Sequence, residues 1–202
     1  MKFEKPFLFL SALIASFVIA SGVTTVSKPN NYSESYPVVV CPPTLNGLTS
    51  QISISSRKTQ YQRLENRSSK TVPFKALRFP VTKDSLVISA EGTTPLIWQS
   101  RAGSWAGGTL CSGPNSAAWF VGGTANVTSR GRLILINSGL SDSIVDVQSY
   151  TENAKQPVKS VNLKSKSYVQ LSLDSLAPGD KALAVQVTPR SGRVNAFMID
   201  EQ

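Results

Sequence analysis

Beyond residue 130, apolar side chains recur at every second position in short runs cut by turn residues. That pattern fits strands and excludes helices. Leu183, Val185 and Val187 fall on one side of an extended chain, and Ala184, Gln186 and Thr188 on the other. Val169, Leu171 and Leu173 repeat the alternation. The runs are Arg132–Asn137, Ile144–Tyr150, Val158–Leu163, Ser167–Leu173, Ala182–Thr188 and Arg193–Ile199. Turn chemistry separates several of them: Asn137-Ser138-Gly139, Pro178-Gly179-Asp180 and Arg190-Ser191-Gly192. With Trp119–Val121 this makes about seven strands at near-regular spacing, which predicts an immunoglobulin-like or fibronectin-like antiparallel sandwich over residues 119–202.

The opposite end of the chain has a different physics. Lys2 and Lys5 precede an apolar stretch from Phe7 to Ala20, the n-region and h-region of an export signal. Pro6 to Ser27 carries no charge, and as a helix those residues would extend ~33 Å, enough to span a bilayer core. Residues 1–26 therefore read as a cleaved signal peptide or an uncleaved membrane anchor. Either reading puts the remainder outside the cytoplasmic membrane, because the lysines stay inside. Residues 27–35, polar and turn-rich, read as a linker.

An extracytoplasmic address makes Cys41 and Cys111, the only cysteines, a disulfide by default. The intervening region is strand-like too, with runs at Tyr36–Val40, Gln51–Ser56, Thr71–Phe79, Ser85–Ala90 and Pro95–Gln99. Residues 36–118 thus form a disulfide-stapled β region. The fold class is all-β, with one or two antiparallel sandwiches after the N-terminal signal or anchor helix.

Composition narrows the chemistry. The chain has no histidine, which removes Ser-His-Asp triads, His-activated cysteines and most zinc sites. Ser55-Ser56-Arg57-Lys58 matches a Ser-x-x-Lys pattern, but its serine follows an alternating strand and no Lys-Thr-Gly accompanies it. Asp142 and Asp146 flank a strand start among Ser, Ile and Val and read as solvated edge residues. The sequons at Asn31, Asn66 and Asn126 matter only in a eukaryotic secretory pathway. No catalytic residue, metal site or cofactor is assigned, and the reading is of a non-enzymatic protein.

Several features combine into a resemblance: Cys41-Pro42-Pro43 soon after the apolar segment, Cys111, Trp119-Phe120-Val121-Gly122-Gly123, and a sandwich that opens with a strand-Asn-x-Gly turn at Leu133–Gly139. Together they resemble a family of actinobacterial secreted or membrane-anchored exoproteins catalogued only as a domain of unknown function. The resemblance runs loosely from Val38 to the C-terminus. It implies an adhesion-type or scaffold β module. The segment between the cysteines is short for that family.

Two features carry functional expectations. The chain has 21 Lys and Arg against 12 Asp and Glu, and much of that excess is concentrated in one stretch. Arg57, Lys58, Arg63, Arg67, Lys70, Lys75, Arg78 and Lys83 face a single acid, Glu65, between residues 57 and 83. Such a local excess recruits anions within a Debye length, ~8 Å at physiological salt. The expected partners are an anionic wall polymer, a membrane surface or an envelope protein. Nucleic acid is excluded by location. The second feature is the cluster of Trp98, Trp105 and Trp119 among Gly103, Gly107, Gly108, Gly113, Gly122 and Gly123. Buried anchors beside a disulfide are the ordinary reading. The alternative is a carbohydrate-binding accessory module in which Trp105, in the most polar and Gly-rich surroundings, stacks against a sugar.

Overall fold

The computed structural model describes residues 38–54, 60–64, 69–71, 78–81, 83–89, 94–126, 128 and 130–201. The signal or anchor segment, the linker, the Ser55–Lys58 motif and the sequons at Asn31 and Asn66 lie outside them. Among the described residues, no helix is long and apolar enough to cross a membrane.

Among the described residues, fifteen strands follow one another: β1 (Val39–Cys41), β2 (Thr49–Ser53), β3 (Gln60–Arg63), β4 (Ser69–Thr71), β5 (Arg78–Val81), β6 (Leu86–Ser89), β7 (Leu96–Arg101), β8 (Trp105–Leu110), β9 (Ala118–Gly123), β10 (Arg132–Asn137), β11 (Ser143–Thr151), β12 (Lys159–Leu163), β13 (Ser167–Ser172), β14 (Leu183–Pro189) and β15 (Val194–Ile199). They form four antiparallel sheets. The first has the order β1-β6-β3-β4, the second β5-β2-β7-β8, the third β13-β10-β15 and the fourth β12-β11-β14-β9. The fold is all-β, as the alternation predicts. Of the expected run Thr71–Phe79, Thr71 ends β4 and Arg78 and Phe79 open β5, and residues 72–77 lie outside the described residues.

Side-chain alternation assigns each sheet to its neighbours. On β1, Val39 and Cys41 point into a core with Ile52, Ile54, Val81 and Ile97 of the second-sheet side. Val40 between them points the other way, toward Ile134, Ile136, Phe197 and Ile199 of the third sheet. On β10, Leu133 and Leu135 face a third core, shared with Val145, Val147, Val185 and Val187 of the fourth sheet. The order of layers is therefore second, first, third, fourth, with three apolar cores between them. The first and third sheets bury apolar residues on both faces. Period-two geometry explains why the Arg132–Asn137 run is apolar almost throughout, as strands covered on both sides are.

The C-terminal pair of sheets is a three-plus-four sandwich that departs from the immunoglobulin order at its fourth strand, β12, which pairs with β11, and at its first and last strands. In the immunoglobulin order the first strand pairs with the second and the last with the sixth. Here β9, the first, pairs with β14, and β15, the last, pairs with β10. The turn at Arg190-Ser191-Gly192 accordingly carries the chain from one sheet to the other rather than closing a hairpin. At the predicted Asn137-Ser138-Gly139 turn, buried Asn137 accepts from the Gly139 amide at 2.9 Å and donates to the carbonyls of Ser141 and Leu163. An asparagine satisfied on both sides can be buried without an unpaired polar atom.

Cys41 and Cys111 are bonded to each other, with their Cα atoms 4.5 Å apart. The backbone continues the link one residue on either side. Val40 and Ser112 exchange two hydrogen bonds, at 2.8 and 3.1 Å, and Asn195 of β15 donates to the Ser112 carbonyl at 2.7 Å. The disulfide itself lies in the core between the first and second sheets, and the neighbouring residues Val40 and Ser112 make the contact with the third sheet.

Closing a loop across a sequence separation of 70 is worth about 4 kcal/mol in the chain-entropy model. Reduction, or the double substitution Cys41→Ala/Cys111→Ala, should lower unfolding free energy by roughly that amount, read from urea melts with the m-value fitted separately because the unfolded chain expands without the crosslink. Ile134→Ala, at a fully buried position between two sheets, should cost about 2–5 kcal/mol in the same assay.

Candidate functional site

The two inner sheets are covered on both faces, so the outward faces of the second and fourth sheets are the broad surfaces left to solvent. Each carries an exposed tryptophan. Trp98, on β7 of the second sheet, is 50% exposed, and Trp119, on β9 of the fourth, is 56% exposed. Trp105 is not the exposed one. It packs partly buried against the core formed by Val40, Ile134 and Phe197. Its surroundings are Gly-rich because the ring needs the space: a Cβ on Gly107 would stand 2.6 Å from the indole. The glycine marks a slot for the ring, and the expectation of exposure at Trp105 is corrected accordingly. Trp105 also lines a cleft of about 230 Å³ with Thr109, Met198 and Asp200.

The neighbouring glycine has the same relation to Trp98, on the opposite side of the sheet. Trp98 sits directly across from Gly108 in the β7–β8 pairing. A Cβ on Gly108 would lie 3.2–3.4 Å from three atoms of the indole. The ring therefore lies flat over the glycine, and its other face is open. Aromatic cover of a strand glycine also restores the packing that the glycine lacks.

Polar groups converge on this ring. Gln51 of β2 is opposite Trp98, and Ser53 of β2 is opposite Arg78 of β5. Trp98, Arg78, Gln51 and Ser53, with Ile52, line one cleft of about 270 Å³. Arg78 and Trp98 are two strands apart, about 10 Å between strand axes. Thr49 and Ser100 continue the polar face along the sheet, joined at 3.0 Å through their hydroxyls. The arrangement offers a flat apolar platform, hydroxyl and amide partners beside it, and one fixed positive charge.

The remaining basic residues are more dispersed. Arg57, Lys58, Arg67 and Lys75 lie outside the described residues. Lys70 is in β4, opposite Tyr61 of β3. Arg63 of β3 stands 3.5 Å from Asp84, which neutralises part of its charge. Lys83 is exposed between β5 and β6, and its carbonyl accepts from the Tyr168 hydroxyl at 3.4 Å. Arg78 shares its cleft with an exposed aromatic ring.

On the fourth sheet, Trp119 stacks on Tyr150 with ring centroids 5.5 Å apart, and the Lys155 ammonium lies 5.6 Å from the Tyr150 centroid. The two aspartates singled out in the sequence are both engaged. Asp142 accepts from the Ser165 amide at 2.8 Å. Asp146 takes a two-pronged bond from Arg190, at 2.7 and 2.9 Å, and a third from Ser160 at 2.7 Å. Among the described residues, no three cysteines or acids cluster closely enough to hold a metal ion.

Arg190 first, and then Ser160, hold the Asp146 carboxyl below its usual range, and Asp146 in turn raises the Arg190 guanidinium. A depressed carboxyl pKa adds stability above the unfolded value, ~3.9, and loses it as pH falls through the folded value. Asp146→Asn should therefore be less stable than the parent at neutral pH, with the difference closing below pH ~4. Urea melts across that range check it; a difference that stays constant to low pH contradicts the assignment.

A family model described as a family of unknown function (DUF5719) matches residues 87–202, more than half of the chain and most of β6 through β15. No curated protein matches. Among solved structures, the Anabaena sensory rhodopsin transducer is similar to part of the fold, at 11% identity and a TM-score of 0.38, over 43% of this chain and 96% of that one.

Proposed function

Since the chain belongs to DUF5719, a family of unknown function, we propose its role from its own surfaces: it is an exported cell-envelope protein that acts as a non-enzymatic interaction module, and its β5-β2-β7-β8 face binds anionic, sugar-containing envelope polymers. The observation that carries this reading is the placement of Trp98 and Arg78 in one cleft, with the indole flat and open. The apolar C–H face of a pyranose loses water against such a ring, and Gln51 and Ser53 are placed to exchange hydrogen bonds with its hydroxyls. Arg78 supplies a charge for a neighbouring carboxylate or phosphate. The proposed site joins one cation of the expected basic stretch, Arg78, to Trp98, a tryptophan other than the expected Trp105.

Export is supported by the Cys41–Cys111 disulfide, which fits an oxidising compartment, and by the apolar N-terminal segment in the sequence. A single cation and a single ring make a weak contact.

The test is a titration of the full chain with a soluble anionic wall polysaccharide and with a neutral one, followed by tryptophan emission. Trp98→Ala should weaken binding to both by about tenfold, equivalent to ~1.4 kcal/mol. Arg78→Gln should weaken only the anionic polymer and flatten its salt dependence. Arg78→Gln, at an exposed position, should keep the parent's melting curve, whereas Trp98→Ala uncovers Gly108 and should melt lower, so binding is compared well below both transitions. A parent that shows no binding, or variants that bind as it does, would sink the proposal.

A further inference from the structure

A second cationic feature lies where the two sandwiches meet, built from residues scattered along the chain. Arg101 ends β7, Arg130 and Arg132 bracket the entry to β10, and Gln170 comes from β13. With Leu45, Asn46 and Glu201 they line a cleft of about 290 Å³. Three guanidinium groups and one carboxylate share it.

The carboxylate is already committed. Arg101 donates from Nε to Glu201 Oε2 at 2.8 Å and from Nη2 to Oε1 at 3.1 Å, and its Nη1 reaches the Gly47 carbonyl at 3.2 Å. That pair is closed. Arg132 donates only from Nη1, to the Gly131 carbonyl at 2.9 Å and to Ser172 Oγ at 2.8 Å. Asp174 bonds the same Ser172 hydroxyl and reaches Arg132 only through it. Among the described residues, neither Arg130 nor Arg132 has a carboxylate at ion-pair distance. The cleft therefore keeps two uncompensated charges. Gly131 between them is pinned to the core, since a Cβ there would stand 2.5 Å from Leu173 and 3.0 Å from the Thr124 carbonyl.

We propose that this cleft binds a phosphate group. One arginine fork saturates the two oxygens of a carboxylate, as Arg101 does with Glu201. Two further forks, with the Asn46 and Gln170 amides, offer more donors than one carboxylate can accept. A phosphate, with three or four acceptor oxygens and up to two charges, matches that surplus. The site shares no residue with the Trp98 face, so each can fail without the other.

The experiment is an NMR titration of the full chain, following arginine Nε–Hε and Gln170 and Asn46 amide signals, with inorganic phosphate, a glycerol-phosphate oligomer, and acetate at matched ionic strength. Phosphate should saturate the site about tenfold more tightly than acetate. Arg130→Gln should weaken phosphate at least about fivefold, and Arg130→Gln/Arg132→Gln should abolish saturation, while the exposed Arg193→Gln changes nothing. Because Arg132 also holds backbone, the single Arg130→Gln variant decides the matter if the double one unfolds. Oligomer binding as tight as inorganic phosphate assigns the site to the terminal phosphomonoester of a polymer. Binding of inorganic phosphate alone assigns it to the free ion. Equal uptake of acetate and phosphate, or affinity unchanged in Arg130→Gln, overturns the proposal.

Discussion

Burial of β10 on both faces is the constraint on which the rest of the architecture depends. Leu133 and Leu135 belong to one core and Ile134 and Ile136 to another, and all four are fully buried. Each such side chain contributes about 1.5–3 kcal/mol on leaving water. A strand read from both sides cannot slip by one residue without exchanging its two sets of partners, so the register of the third sheet is fixed from both directions. The first sheet repeats the arrangement less completely through Val40 and Val87. The N-terminal region is thereby packed onto the C-terminal sandwich rather than tethered beside it. Asn195, Ser112 and the Arg101–Glu201 pair are polar contacts across the same junction.

This layering decides where binding surfaces can be. Inner sheets have no free face, which leaves the two outer faces and the clefts along the junctions. The Trp98 face belongs to the first kind and the arginine cleft to the second. Both depend on glycines that give up a side chain so that a neighbour can occupy its space, Gly108 for the indole and Gly131 for the core residue Leu173.

Much of the fold was legible in the chain, and the exceptions have physical causes. Strands β10, β11, β14 and β15 announce themselves because each has at least one well-buried face, which requires alternation or a continuous apolar run, while β12 and β13, less buried, keep the alternation in Val161, Leu163, Val169 and Leu171. Gln60–Arg63 was missed because it is largely exposed and polar, and Trp105–Leu110 because Gly107 and Gly108 depress its strand propensity. The disulfide was legible from compartment and count. The exposure ranking of the tryptophans was not, because glycine density signals a cavity as readily as a surface. The arginine cleft left only the faint trace Arg130-Gly131-Arg132; its other members come from β7, β13 and the last residues, which the tertiary packing alone brings together. The strand exchange between β9 and β15 is likewise a property of connectivity that no local pattern encodes.

The bond between Cys41 and Cys111 has a mechanical consequence. Suppose one end of this molecule is fixed and the other is pulled. Tension reaching Cys41 crosses to Cys111 through sulfur, and the intervening segment, a sequence separation of 70, bears no load. At ~3.3–3.6 Å per stretched residue, that shields roughly 240 Å of contour length from extension. Strands β2 through β8 would stay folded as a stiff unit while the C-terminal layers yielded first, and the hidden length would be released only after the sulfurs were reduced.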